Sequence, residues 1–357
     1  MMENIERIKC SLAKEDCKAM LISSPINRLF ATGFSSSAGI LLVTDRDAWF
    51  FTDFRYITAA EAAVSKHAKV MLITKQESYT TELNKVFAEN GISAVGFEED
   101  AVTYSEYREW GKKLTAELRP NQKLLATLRA VKSKSDIEKM KAAERIAEKS
   151  FEEILPIIST DMTEKQLAME LICRMLKNGA DDVSFPPIVV SGERSSLPHG
   201  VPGDRKIEKS FLTIDFGVKL NGWCSDTTRT LCIGQPSDEM VTVYDTVLRA
   251  QEAGIAAARV GIAWEDIDKA ARTVIKDAGF GAYFGHGFGH GIGMEVHEFP
   301  RASPGHTAKI QDGAVISAEP GIYLPGKFGV RIEDVIYITE NGCENITNLP
   351  KKLMILA

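Results

Sequence analysis

The stretch Phe211–Gly234, FLTIDFGVKLNGWCSDTTRTLCIG, constrains the fold more than any other. Two runs rich in β-branched and aromatic residues flank Asn221-Gly222, a dipeptide suited to a two-residue hairpin turn. Side chains alternate faces along a strand, and an even loop preserves the face across the pair. With Asn221-Gly222 as the turn, Asp215 lies opposite Thr228, and Asp215 and Asp226 point the same way as diagonal neighbours. A turn at Leu220-Asn221 would make the two directly opposite. Either register puts two carboxylates on one face of an otherwise apolar hairpin. Like charges so placed repel, and burial raises the cost. A divalent cation is the simplest compensation. The bland alternative, an exposed turn aspartate, suits Asp215 poorly, because it sits mid-strand where Asp is disfavoured.

Two further stretches repeat the anomaly. AVISAEPGIYL (314–324) and GVRIEDVIYIT (329–339) read as a strand pair, with Glu319 and Glu333 in apolar contexts. FGHGFGHGIGMEVHEFPR (284–301) holds three of the six histidines, His286, His290 and His297. Its glycines suit neither a helix interior nor an ordinary strand, but allow a backbone to fold closely around something. Taken singly, the acids fit an exposed strand edge and the histidines a Gly-rich surface loop. Together, Asp215, Asp226, His290, Glu319 and Glu333 offer oxygen and nitrogen donors without thiolate, a set for Mn²⁺, Co²⁺, Zn²⁺ or Fe²⁺. Four carboxylates and a neutral imidazole are neutralised by two divalent ions, and a bridging hydroxide then leaves a single negative charge. Two ions so clamped generate a nucleophile and polarise a carbonyl, which is hydrolytic chemistry.

The rest of the chain is read around this cluster. Its 357 residues suggest two domains, of mixed α+β class. Residues 1–128 alternate strand-like and helix-like runs: a helix from about Glu3 to Lys14, strands at 19–24, 39–52, 69–73 and 93–99, helices at 53–64 and 79–90. His67 stands alone between lysines and reads as solvated. A boundary falls at KLLATLRAVKSKS (122–134), and the second domain spans 129–357. Ser135 with Glu138, and Thr163 with Gln166, read as capping boxes of two helices. Two more helices are expected at about 238–258 and 265–278. His306 reads as a loop residue. No short internal repeat is visible. A net charge of −6 without a basic block argues against nucleic acid. Six scattered cysteines without CxxC argue for reduced thiols in the cytoplasm, and no apolar run matches a membrane span.

The motifs IDFG, SDTTRT, GHGIG, EPGIY and RIED, in that order, resemble the pita-bread metallopeptidases of family M24. The resemblance is greatest to the proline-specific type, Xaa-Pro aminopeptidase (aminopeptidase P) and Xaa-Pro dipeptidase (prolidase). LISSPINRLFATGFSSSAGILLVT and FFTDFRYITAAEAAV resemble the creatinase-like N-terminal domain that precedes them. The resemblance implies that Asp215 chelates one metal, Asp226 and Glu333 bridge two, and His290 and Glu319 bind the second. Glu319 would also handle a proton. His297 would steady the substrate carbonyl, His199 would lie on the opposite wall, and His286 would be a further catalytic residue. Arg331, Tyr323 and Arg301 would contact substrate, although Arg331 also fits a cross-strand partner and Arg301 a surface residue. Two divalent ions, Mn²⁺ foremost with Co²⁺ or Zn²⁺ as alternatives, would serve a homodimer acting on short proline-containing peptides. Phe288 and Ser317 stand where many relatives carry threonine. Methionine aminopeptidase, creatinase and a catalytically silent binding protein are the rival readings.

Overall fold

The structure, a computed structural model, describes residues 4–357. It divides into two compact units, one ending at Arg129 and the other beginning at Ala130. In the first unit, strands β1 (Ala19–Ile22), β2 (Ile40–Thr44), β3 (Ala48–Thr52), β4 (Lys69–Leu72), β5 (Ala94–Phe97) and β6 (Glu117–Pro120) form one sheet, ordered β4-β3-β2-β1-β5-β6. The β1–β2 and β2–β3 pairs are antiparallel, and the outer pairs are parallel. Helices α1 (Asn4–Leu12), α2 (Pro25–Thr32), α3 (Ile57–Val64), α4 (Tyr79–Asn90), α5 (Tyr104–Lys113) and α6 (Gln122–Ala130) accompany it. The core is continuous because the central strands are apolar on both faces: Leu21, Leu42 and Phe51 pack with Leu83 and Phe87 of α4. The helix expected over 53–64 begins only at Ile57, since Asp53 accepts the Arg55 amide at 2.9 Å and holds a turn there. Of the helix expected from Glu3, residue 3 itself lies outside the described residues.

The second unit opens with α7 (Lys134–Ile154) and α8 (Glu164–Lys177). Its first cap is two residues earlier than the sequence suggests. Ser133 rather than Ser135 caps α7, in a reciprocal box with Asp136 rather than Glu138. The segment KSKSDIE offers both patterns. The earlier one wins because the chain is still extended up to Lys132, whose amide donates to the Gly313 carbonyl at 2.8 Å. Thr163 and Gln166 do form the box at α8.

Strands β7 (Asp182–Val183), β8 (Ile188–Ser191), β9 (Phe211–Phe216), β10 (Val218–Leu220), β11 (Trp223–Cys224) and β12 (Thr227–Ile233) follow. Next come α9 (Asp238–Ala257) and α10 (Trp264–Asp277), then β13 (Gly289–Gly291), β14 (Glu298–Ala302), β15 (Ala314–Ala318), β16 (Gly321–Leu324), β17 (Phe328–Arg331), β18 (Asp334–Thr339), β19 (Gly342–Asn345) and β20 (Ile355–Leu356). The order repeats itself: a helix pair, two short strands, then a broken hairpin. Isolated bridges occupy matching places, Thr163 to Lys206 in one half and Ala263 to Lys309 in the other. One core packs α7 and α8 on β8, β9 and β12 around Phe151 and Phe216, whose rings stack at 5.2 Å. The other packs α9 and α10 on β15, β16, β17 and β18. No helix among the described residues is long and apolar enough to cross a membrane.

On α7, Glu144 is fully buried behind β12. Thr227 Oγ1 donates to it, Thr347 Oγ1 donates to the same oxygen at 3.1 Å, and the other oxygen has no partner among the described residues. Burial pushes this carboxyl up from its ordinary 4.5 to about 7, with the nearby Glu148 adding to the rise. An acid raised in the folded state stabilises fully below its unfolded value and loses that contribution as pH rises through the folded one. The shift corresponds to roughly 3 kcal/mol. Glu144→Gln should therefore flatten the fall in stability between about pH 5 and pH 8. Urea midpoints at the two pH values read it; an equal fall in both proteins would refute it.

Candidate active site

Both broken hairpins place acids at their breaks. In the first, Leu220 pairs with Trp223 and closes Asn221-Gly222, both left-handed at φ 50° and 82°. Asp215 pairs with Thr228 in this register. The strands part at Gly217, where a Cβ would lie 2.0 Å from the Ser225 carbonyl oxygen. Asp226 sits in that gap. In the second, Ala318 pairs with Asp334 and Gly321 with Arg331, so the same count sets Glu319 opposite Glu333. Pro320 brings no amide to the ladder there. Asp226, Glu319 and Glu333 thus lie where the hairpins open, Asp215 lies within the paired strand β9, and all four acids face one cleft.

The cleft has a volume of about 810 Å³ and is lined by every site residue singled out in the sequence. Asp215, Asp226, His290, Glu319 and Glu333 lie in it, as do His199, His286, His297, Arg301, Tyr323 and Arg331. His199, His297 and Arg301 are exposed, whereas Tyr323 and Arg331 are buried. The sequence reading did not single out the apolar wall formed by Phe185, Pro186, Pro187, Ile188, Val201 and Pro202. The run of prolines was its one visible signal.

The cluster is tightly connected. Ligand atoms of Asp226, His290 and Glu333 lie within 4.8 Å of one another. His290 Nε2 is 3.3 Å from Glu319 and 3.6 Å from Asp226. Its Nδ1 lies 3.1 Å from the Gly291 carbonyl, which can only accept, so Nδ1 carries the proton and Nε2 turns a lone pair to the acids. Thr228 Oγ1 donates to Glu333 at 2.7 Å and accepts from Arg331 Nε at 3.1 Å. Ser317 Oγ donates to Glu319 at 3.2 Å and accepts the His290 amide at 3.0 Å. Arg331 donates to Asp215 Oδ2 at 2.5 Å and to Tyr323 Oη at 3.0 Å, and Tyr323 meets His286 Nε2 at 2.9 Å.

Behind the acids lies Arg229, fully buried. It donates to the Thr228 and Glu333 carbonyls at 2.9 and 2.6 Å, to Asp334 at 2.8 Å, and to the Leu349 and Pro350 carbonyls at 2.8 and 3.0 Å. One guanidinium thereby ties both hairpins to the C-terminal segment.

Electrostatics decide what the cluster can hold. Burial, then Glu333, Asp215 and Glu319 in turn, drives the Asp226 carboxyl well above the usual carboxylate range. Burial and the same neighbours raise Glu333, and burial raises Glu319. Burial lowers His286, His290 and His297, which keeps them neutral. Arg331 offsets one carboxylate, and the excess of acid remains. Asp215 Oδ1 is buried without a hydrogen-bond partner among the described residues. An orphaned carboxylate oxygen, three more acids and an imidazole lone pair fit a hard or borderline divalent cation.

The fold and this donor set define a two-domain metallopeptidase of the pita-bread class. Comparison with known proteins agrees. Residues 138–340 match the family described as metallopeptidase family M24, and residues 4–131 match the creatinase/prolidase N-terminal domain. The chain belongs to metallopeptidase family M24. It is 40% identical to the uncharacterized peptidase YqhT of Bacillus subtilis, over 99% of each chain. It resembles the structure of an Xaa-Pro dipeptidase from Bacillus anthracis with 38% identity, 99% coverage of both chains and a TM-score of 0.95. An X-Pro aminopeptidase from Thermotoga maritima matches with 35% identity, 97% of this chain, 100% of that chain and a TM-score of 0.90.

A cation that binds the folded site and not the unfolded chain raises stability, by about 2.7 kcal/mol at a hundred times its Kd. Mn²⁺ should therefore raise the melting temperature of the metal-free protein. Asp226→Asn and Glu333→Gln should each abolish most of that rise, as read by calorimetry. An equal rise in the variants would place the ion elsewhere.

Proposed function

We propose that this protein hydrolyses the peptide bond preceding proline and releases the N-terminal residue, as an Xaa-Pro aminopeptidase. The observation that carries the reading is a buried acid and imidazole cluster set beside an apolar, proline-rich wall in one cleft. Asp215 would hold one divalent ion, His290 and Glu319 a second, and Asp226 and Glu333 would serve both, with Mn²⁺ as the native metal. Bound there, the ions supply Lewis acidity and lower the pKa of water so that it can act as a nucleophile at neutral pH.

The chain's own groups do the rest. The bond before proline is a tertiary amide without an N–H, so recognition must come from shape. The wall of Phe185, Pro186, Pro187 and Ile188 receives the pyrrolidine ring. Glu319, raised by burial, can hold a proton and return it to the leaving proline nitrogen. His297 stays neutral and exposed in the cleft, able to donate to the developing oxyanion. His199 faces the substrate from the other wall. The Arg331–Tyr323–His286 chain holds Asp215 in place and positions the cleft edge. A cytoplasmic homodimer, with the N-terminal unit restricting access, completes the proposal on the strength of the family resemblance.

One observation favours a second reading, the dipeptidase. Arg301 is exposed on the cleft, and no acid among the described residues pairs with it. A free guanidinium there suits the carboxylate of a dipeptide. Several relatives carry the name Xaa-Pro dipeptidase, among them those of Pyrococcus furiosus and Pyrococcus horikoshii.

Mn²⁺-dependent turnover of Xaa-Pro against Xaa-Pro-Xaa peptides, with EDTA and Asp226→Asn as controls, separates the readings. Release of the first residue from the tripeptide is expected. Cleavage of the dipeptide alone would make the protein a dipeptidase, and no turnover of either with Mn²⁺ bound would remove the proline reading. His297→Ala should lower kcat about 10²- to 10³-fold. If Arg301 binds a carboxylate, Arg301→Ala should weaken dipeptide binding by about 1.5–3 kcal/mol, read in KM, and spare longer peptides.

A further inference from the structure

We propose that Lys132 is a positioning residue for His297, acting through a buried ion pair with Glu298. The sequence reads the segment around Lys132 as a domain boundary, and the reaction scheme leaves it unused. Lysine is almost never fully buried unless paired. The Lys132 side chain is only 1% exposed and that of Glu298 4%, with Nζ 3.3 Å from Oε2.

Removing two opposite charges from water is unfavourable unless further hydrogen bonds satisfy them. Glu298 Oε1 accepts the amides of Met294 and Glu295 at 2.8 and 2.9 Å. The main chain of Lys132 is fixed independently, by its bond to Gly313 and by the bridge from Val131 to Ala314 at the start of β15. Gly293 permits the approach, since a Cβ there would lie 2.9 Å from both Glu298 Oε2 and Lys132 Cε. From the other side, the Cys224 amide donates to the Gly293 carbonyl at 2.7 Å. The loop 293–298 is therefore fastened at both ends, just beside the strand that leads to Asp226.

His297 is the reactive group this loop presents. Its ring makes no hydrogen bond among the described residues and leans edge-on against His290, centroids 4.3 Å apart. Nothing polar orients the ring directly, so its placement is inherited from the backbone. The adjacent Glu298 is what fixes that backbone, and Lys132 is what fixes Glu298. The proposed metal ligands are held by other groups, Thr228 on Glu333, Ser317 on Glu319 and His290, and Arg331 on Asp215, so the two functions, holding metal and placing His297, are separable.

The inference rests on His297 serving the reaction, and the experiment keeps the two ideas apart. Lys132→Met, His297→Ala and the double variant are compared as full-length, Mn²⁺-loaded protein on a proline peptide. Lys132→Met should lower kcat about 10- to 100-fold with KM little changed. Its Mn²⁺ affinity by calorimetry should match wild type. The double variant should be no slower than His297→Ala alone, because residues acting as one unit are not additive. A double variant slowed by the product of both effects would overturn the inference, as would Mn²⁺ affinity falling in step with kcat. If His297→Ala is slow and Lys132→Met is not, this inference alone falls. If His297→Ala keeps the wild-type rate, the role of His297 falls and this inference with it. Should Lys132→Met fail to fold, Glu298→Gln removes the charge, keeps an acceptor for the two amides, and carries the same expectations.

Discussion

Asp226, His290 and Glu333 bring their ligand atoms within 4.8 Å of one another, and Asp215 and Glu319 add two carboxylates in the same cleft. Left alone, such a group would drive its strands apart, because like charges repel most strongly where water is excluded. The architecture of the second unit follows from that difficulty. Asp226, Glu319 and Glu333 fall in the breaks of their hairpins, while Asp215 keeps its ladder place opposite Thr228. Threonine and serine hydroxyls, Thr228 and Ser317, take the oxygens they can reach. Arg331 takes one oxygen of Asp215, and the other has no hydrogen-bond partner among the described residues.

What keeps the acids in place lies on the far side of the sheet. Arg229 and Asp334 form an ion pair with both side chains wholly excluded from solvent. Lys351 and Asn345 complete the bonds of Asp334. A pair this deep would be a poor choice for stability alone. Its value lies in direction: five donor groups fan from one point to both hairpins and to the segment 349–350. A hydrophobic side chain of equal volume could fill the space but could not set the register of Glu333 against Thr228.

Much of this was legible in the sequence. The Asn221-Gly222 turn fixes the pairing of Asp215 with Thr228 by counting alone, and the structure has that register. The eleven site residues named from the sequence all line one cleft, although their roles remain proposals. The misses have physical causes. α2 is missed although Ser24, Pro25 and Gly33 mark its ends, because its eight residues make barely two turns and leave little helical periodicity to read. α5 was overlooked because none of its residues is buried, so it lacks an apolar stripe. The cap of α7 lies two residues before the expected one, because two equivalent cap patterns overlap and only the tertiary bond at Lys132 chooses between them. The duplication of the second unit left no short repeat to find, because it is conserved in backbone order and not in side chains. Buried Arg229 and the Lys132–Glu298 pair were invisible, since nothing local distinguishes a buried basic residue from a solvated one.

The duplication also sets an order of events. Thr228 and Glu333, which hold one another across the cleft, stand 105 residues apart in the chain. At about 5–20 residues per second, the ribosome needs roughly 5–20 s to make that span. When that interval begins the first hairpin has its acids and lacks His290, Glu319, Arg331 and Glu333, and Glu333 is the last of them to be made. A nascent half is thus a pair of aspartates with no cage around them, and peptide-cutting chemistry cannot begin until the last third of the chain has left the ribosome.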